Sequence, residues 1–222
     1  YKNVTTFKRT NVIEALKSQC ILSRLPDIPH WIANSKRHRN YLACTNGILD
    51  IEQAATEDTP PLSPHTPQWF SPVAVPYGYD PDATCDRWDA FLQRNLEGDP
   101  ERIAILQEWF GYCLTADTRY QSFLLMTGDG GNGKSVALAA LTALVDPANT
   151  SNTRLEKFGD RFEIYQTLGK LTNICPDVGQ LDKAEEGILK AFTAGDRMTF
   201  ERKYKDHVQA IPTAKLTLAT NT

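Results

Sequence analysis

The chain has 222 residues of which 41% are hydrophobic, enough to bury a real core as one large domain or two small ones. Its net charge of −3 and pI near 5.8 exclude bulk attraction to nucleic acid, so any DNA contact must come from a local basic patch. No run of eighteen apolar residues and no signal-peptide pattern occurs, which argues against a membrane or secreted protein and for a cytoplasmic one, in a bacterial or other host cell.

Residues 1 to about 56 mix short apolar runs with polar clusters and read as a small α+β region, in which Asn46-Gly47 is a hairpin-turn signal. Between 55 and 81 prolines recur too often for long helices or central strands, predicting an extended connector packed by Trp69, Phe70 and Tyr77. Thr84 to Leu96 sets Trp88, Phe91, Leu92 and Leu96 on one helical face. Asp99-Pro100 then opens a second helix, with Asp99 as N-cap and proline at the first helical position. Trp88, Phe91, Trp109 and Phe110 read as the shared core of this helix pair rather than a base-stacking platform. From Thr115 the pattern changes to strand-loop-helix units. Strands are expected at Phe123 to Met126, Leu171 to Cys175 and Lys215 to Ala219, with helices near Val136 to Leu144 and Lys183 to Ala194. Such alternation means an α/β fold with a mostly parallel sheet, with a domain boundary near 115.

The most informative motif follows the first of those strands. Gly128, Asp129, Gly130, Gly131, Asn132, Gly133, Lys134 and Ser135 form a complete G-x-x-x-x-G-K-[ST] phosphate-binding loop opening a helix. Backbone N–H groups of such a loop cradle phosphates at the positive end of the helix dipole. Lys134 is expected to reach the β- and γ-phosphates of ATP, and the Ser135 hydroxyl to hold Mg²⁺. Without that context, the segment would be a glycine-rich surface turn.

Turnover also needs an acid at the end of a neighbouring strand. Asp177, after Leu171 to Cys175 and Pro176, stands where that acid belongs, its plainer role being a turn aspartate. Asn221 ends the strand that starts at Lys215 and is placed to orient an attacking water. Between them lies Arg197 to His207, in which Arg197, Arg202, Lys203 and Lys205 outweigh Glu201 and Asp206 within an acidic protein. Alternating flanks at Met198 to Phe200 and Val208 to Ile211 predict a hairpin with the charges at its tip. A basic tip with Tyr204 suits a single-stranded backbone gripped without reading bases, against the alternative of a solvated surface hairpin. Five scattered cysteines without a C-x-x-C pair read as reduced thiols, and four histidines without H-E-x-x-H spacing give no zinc signature.

In order, the loop Gly128 to Ser135, the acid of Ile174 to Asp177, the segment Gly195 to Lys205 and the terminal Leu216 to Asn221 resemble the successive motifs of superfamily-three helicases. The likeness is to the phage and plasmid primase-helicases and their poxvirus relative. Asn46 to Ile51, Tyr77 to Pro81 and Gln107 to Tyr112 look like the domain that precedes the ATPase in that family. The resemblance implies an AAA+-like ATPase domain over 116–222 preceded by a helicase-associated domain over 1–115. It further implies a homo-oligomeric, hexameric ring moving on single-stranded DNA during replication, with Lys203, Lys205 and His207 on the pore hairpin beside Arg202. Lys134, Asp177 and Asn221 carry catalysis in this reading, with Ser135 and Asp177 on Mg²⁺. Two departures stand out. The family usually has glutamate at the position of Asp177, and its arginine finger is expected after Asn221, so the chain reads as a fragment. Any primase centre is expected before Tyr1. The competing readings are a P-loop nucleoside or small-molecule kinase, for which Arg154 and Arg161 are the available lid arginines, and a non-catalytic DNA-binding or oligomerisation module.

Overall fold

A fifteen-residue helix, α1 (Thr6–Cys20), opens the described residues, within the region read from sequence as a small α+β mixture in which no helix is placed. Its apolar residues are poorly phased, Phe7 lying on the side opposite Leu16, so the 3.6-residue pattern is weak. The computed structural model describes residues 5–20, 29–32, 39–54, 62–178 and 183–221. The expected connector therefore lies partly, at 55–61, outside the described residues.

Strand β1 (His30–Trp31) precedes a hairpin of β2 (Tyr41–Cys44) and β3 (Gly47–Asp50), and the single turn α2 (Ile51–Ala54) follows. Then come β4 (Leu62–Ser63), which pairs antiparallel with β3, and β5 (Trp69–Phe70), which pairs with β1. The hairpin turn is centred one residue earlier than the sequence signal, on Thr45-Asn46, because Gly47 already pairs with Cys44. Asn46 instead clamps the Tyr77–Tyr79 segment, its Nδ2 donating to the Tyr79 carbonyl at 2.8 Å and its Oδ1 accepting from the Tyr79 N–H at 2.9 Å.

Helices α3 (Asp86–Asn95) and α4 (Pro100–Cys113) form the expected pair. Asp99 caps α4 by accepting from the Glu101 and Arg102 N–H groups at 3.0 and 3.2 Å. Trp88 stacks on Phe91 and on Phe110, with centroids 5.3 and 5.2 Å apart, so these rings are core.

The remaining elements are β6 (Leu124–Met126), α5 (Lys134–Val145), β7 (Thr150–Ser151), β8 (Thr172–Cys175), α6 (Lys183–Ala194), β9 (Met198–Phe200), β10 (Val208–Ala210) and β11 (Lys215–Ala219). Four of them make a parallel sheet in the order β6-β11-β8-β7, and the α/β class with a parallel sheet holds. The central strands β8 and β11 are buried along their whole length. Their side chains alternate between two cores. Ile174 and Ala219 face the core built with α3, α4 and α5, which also takes Leu42 and Val75 from the N-terminal region. Cys175, Leu216 and Leu218 face the second, with Phe158, Phe192 and Phe200. Long-range bonds tie the first layer to the sheet: Tyr77 Oη donates to the Leu144 carbonyl at 2.5 Å and Trp109 Nε1 to Thr217 Oγ1 at 3.0 Å.

Candidate functional site

Because the four strands are parallel, their carboxyl ends share one edge of the sheet, where ligands of open α/β folds bind. The chain leaves β6 into the loop at 127–133 and enters α5 at Lys134. Gly133 caps that helix in the left-handed region, φ +84°, and its carbonyl accepts from the Ala137 N–H at 3.0 Å. Its open side faces α3: a Cβ there would lie 2.7 Å from Asn95 Oδ1 and 3.1 Å from the Phe91 ring. Asn95 is fixed in turn by its Nδ2 donating to the Phe91 carbonyl at 2.8 Å. The Lys134 ammonium bridges the loop, donating to the Gly128 carbonyl at 2.6 Å, the Asp129 carbonyl at 3.0 Å and Asn132 Oδ1 at 2.9 Å. Three oxygens thus hold the cation at the loop, as an incoming phosphate would.

Strand β11 lies between β6 and β8, and the Thr220 N–H donates to the Met126 carbonyl at 3.0 Å, just before the loop. Asn221 follows, exposed, one strand away from the loop. Asp177 follows β8 on the other side of β11, also exposed, with the Cys175 thiol donating to its carbonyl at 3.3 Å. The topology therefore brings Gly128 to Ser135, Asp177 and Asn221 to one edge. Among the described residues no group of three or more His, Cys, Asp or Glu side chains converges as a ready-made metal cluster. A hydroxyl and a carboxylate, Ser135 and Asp177, are hard oxygen donors of the kind Mg²⁺ takes when phosphates and waters complete its shell. Glu185 and Glu186 sit in the first turn of α6, where they complement its dipole, and Asp182 lies outside the described residues.

The basic segment forms the expected hairpin, β9 pairing antiparallel with β10, Phe200 opposite Val208. Tyr204 is fully exposed at its tip with φ +61°. The four candidate DNA contacts divide into two pairs. Arg202 lies 5.8 Å from the Tyr165 ring centroid and Lys203 5.6 Å from that of Phe162, while Lys205 and His207 are exposed at the tip. Arg161 forms an ion pair with Glu201 at 3.2 Å, bracing the base of the tip.

Two features are absent from the sequence reading. The packing of Asn95 and Phe91 on Gly133 joins residues far apart in the chain, and no local pattern announces it. Lys215, at the opposite end of β11 from Asn221, is buried and donates to the carbonyls of Thr115 and, at 3.2 Å, Thr213. Burial pulls its pKa down from 10.5 to about 7, so the neutral amine, with two N–H groups for two carbonyls, fits the site. Burial likewise pushes the neighbouring Cys113 thiol up to about 12. A lysine opening an apolar strand looks like an ordinary strand-end charge, so burial is its only distinguishing signal.

Residues 1–97 match a family described as D5 N terminal like, and residues 126–222 match a family of unknown function, DUF5906. Over 230 residues the chain is 25% identical to a protein of Acanthamoeba polyphaga mimivirus whose name is that of a helicase; the match takes in 96% of this chain and 23% of that protein. The chain thus spans about a quarter of the length of this relative. Apo structures of the NrS-1 C terminal region share the fold over 60% of this chain. One has a TM-score of 0.51 at 16% identity over 32% of its own length, and another 0.52 at 15% over 33%. The motif order along the sheet edge, the two partial family matches and this relative agree with the likeness to superfamily-three primase-helicases.

Proposed function

We propose that the chain is the ATP-hydrolysing segment of a DNA helicase or translocase of the replication primase-helicase type, working as a ring on single-stranded DNA. In this reading 116–222 is the AAA+-like ATPase domain and 1–115 the domain that precedes it. The observation that carries it is the meeting of the phosphate loop, Asp177 and Asn221 at one sheet edge. Loop N–H groups and the α5 N-terminus bind the phosphates, and Lys134 exchanges its loop oxygens for theirs. Ser135 and Asp177 hold Mg²⁺, which supplies charge neutralisation on the phosphates when bound. Asp177 polarises the water and Asn221 orients it. The hairpin bearing Arg202, Lys203, Lys205 and His207 grips the DNA backbone without base selection. The kinase alternative is weakened by Arg161, whose ion pair with Glu201 commits it to the hairpin instead of a lid.

The test is ATP turnover of the protein with and without single-stranded DNA, beside Lys134→Ala. Turnover should rise with DNA and vanish in Lys134→Ala while the urea midpoint stays near that of the parent chain. Turnover that ignores DNA but requires a small hydroxyl-bearing acceptor would replace the helicase with a kinase.

A further inference from the structure

We propose that α1 and the tip of the β9–β10 hairpin form one composite surface for a single-stranded nucleic acid, Arg9 and Lys17 holding phosphates while Tyr204 stacks on a base. The proposal rests on the single-stranded DNA reading of the hairpin above and deepens it by adding a second element, from the N-terminal region.

The two elements are far apart in sequence but share one concavity. Lys17, in the last turn of α1, lines an open hollow of about 770 Å³ together with Tyr204, Lys205 and Asp206. Steps of four residues back from Lys17 reach Ile13 and Arg9, so Arg9 and Lys17 stand on one side of α1, about 12 Å apart. Lys8 lies on the side opposite Lys17.

The pattern on α1 favours a phosphate backbone over a protein partner. Arg9 falls within the arc that the exposed Val12, Ile13 and Leu16 occupy. The apolar side of α1 thus carries a cation in its middle, and covering it with an apolar protein surface would strand that charge. A single strand meets both halves of the pattern: the guanidinium takes a phosphate, and apolar side chains lie against base faces.

Charge agrees. Residues 6–20 and 201–207 together hold six cations against three acids, in a protein whose net charge is −3. Of the three acids, Glu201 is paired with Arg161, and Asp206 lines the hollow. The third, Glu14, pairs with Lys17 at 2.7 Å, but both side chains are exposed and such a pair contributes little, so Lys17 can exchange it for a phosphate. Tyr204 completes the surface. Its ring is fully exposed and its φ of +61° is uncommon for a residue with a side chain, so the tip presents the ring to solvent with both faces open to a base.

Fluorescence anisotropy of a labelled oligothymidylate with the 222-residue chain, without nucleotide and across a salt titration, tests this. Alanine at both Arg9 and Lys17 should lower the salt slope by about 1.4, at roughly 0.7 per lost phosphate contact. Lys8→Ala removes the same charge from the far side of the same helix and should leave the slope unchanged. Tyr204→Ala should weaken binding at least about fivefold at an unchanged slope, since a neutral ring releases no counterions. All four positions are exposed, so the fold should survive each change. An unchanged slope in the Arg9 and Lys17 variant, an equal loss in Lys8→Ala, or undiminished affinity in Tyr204→Ala overturns the proposal. Binding of polyglutamate as tight as that of the oligonucleotide also overturns it and makes the surface a site for an acidic protein. The alanine variant at Lys203 and Lys205 separates this proposal from the reading beneath it. If that variant lowers the slope and the Arg9 and Lys17 variant does not, the hairpin grips DNA without α1; if neither does, the DNA reading of the hairpin fails as well.

Discussion

Replacing Gly133 with alanine imposes two separable costs. The residue sits at φ +84°, where a Cβ crowds the following carbonyl, a penalty of about 1 kcal/mol. The new methyl would also fall 2.7 Å from Asn95 Oδ1, so Asn95 must turn away and give up its bond to the Phe91 carbonyl, about 1 kcal/mol more. Gly133→Ala should therefore destabilise the chain by about 2 kcal/mol, read from urea midpoints at constant m. Gly130→Ala is the internal control, since a Cβ there meets nothing within 4 Å and no positive φ is involved; it should stay within about 0.5 kcal/mol. In an Asn95→Ala background the clash with Oδ1 and the lost bond disappear, leaving the backbone penalty and the 3.1 Å approach to the Phe91 ring, so Gly133→Ala should cost closer to about 1 kcal/mol, a coupling of similar size. Equal costs in both backgrounds would refute the idea that α3 buttresses the phosphate loop through Asn95. A cost below that of Gly130→Ala would refute the backbone argument as well.

Asp177→Asn should retain ATP, measured by equilibrium binding, while slowing its hydrolysis about a hundredfold or more, because an amide lacks the charge that organises metal and water. Alanine at both Lys203 and Lys205 should lower the salt slope of single-stranded DNA binding by about one to two, at roughly 0.7 per lost phosphate contact, leaving ATP affinity unchanged; an unchanged slope returns the tip to a solvated hairpin. Lys215 gives a pH signature. Its folded pKa of about 7 lies below its ordinary 10.5, so between those values the unfolded chain binds more protons and stability rises with pH, by at most about 1.4 kcal/mol per unit. The raised cysteines Cys44, Cys113 and Cys175 act in the opposite sense only above about pH 9. Lys215→Met should therefore flatten the rise between about pH 7 and 8.5 in urea titrations, and a slope unchanged from wild type would contradict the buried neutral amine.

What could be read from the sequence was encoded over short spans. The phosphate loop, the Asp99-Pro100 helix start, the aromatic stripe of α3 and α4 and the charged hairpin each lie within a dozen or so residues, where period, cap and turn chemistry act directly. Strands β6, β8 and β11 were visible as apolar runs, but β7 is two residues long and gives no periodic signal. The order of the strands was not visible, because pairing of Ala219 with Met126 depends on the whole chain between them. Asp177 and Asn221 were proposed from spacing along the sequence, and the strand order puts them at the loop's edge of the sheet, whereas Asn95 was missed because its partner Gly133 belongs to another element. The hairpin turn at Thr45-Asn46 was misread by one residue because Asn46 serves Tyr79 as well as the turn.

The strand order also has a consequence for synthesis. The last of the four parallel strands to be made, β11, occupies the space between β6 and β8. Until Lys215–Ala219 has left the ribosome, β6 and β8 lack the strand that joins them, and the apolar faces of Ile174, Cys175 and Leu138 lack their cover. The sheet cannot grow outward strand by strand as the chain emerges. It closes in one late step across a long loop, the kind of non-local pairing that folds slowly and leaves apolar strands exposed to aggregation in the meantime.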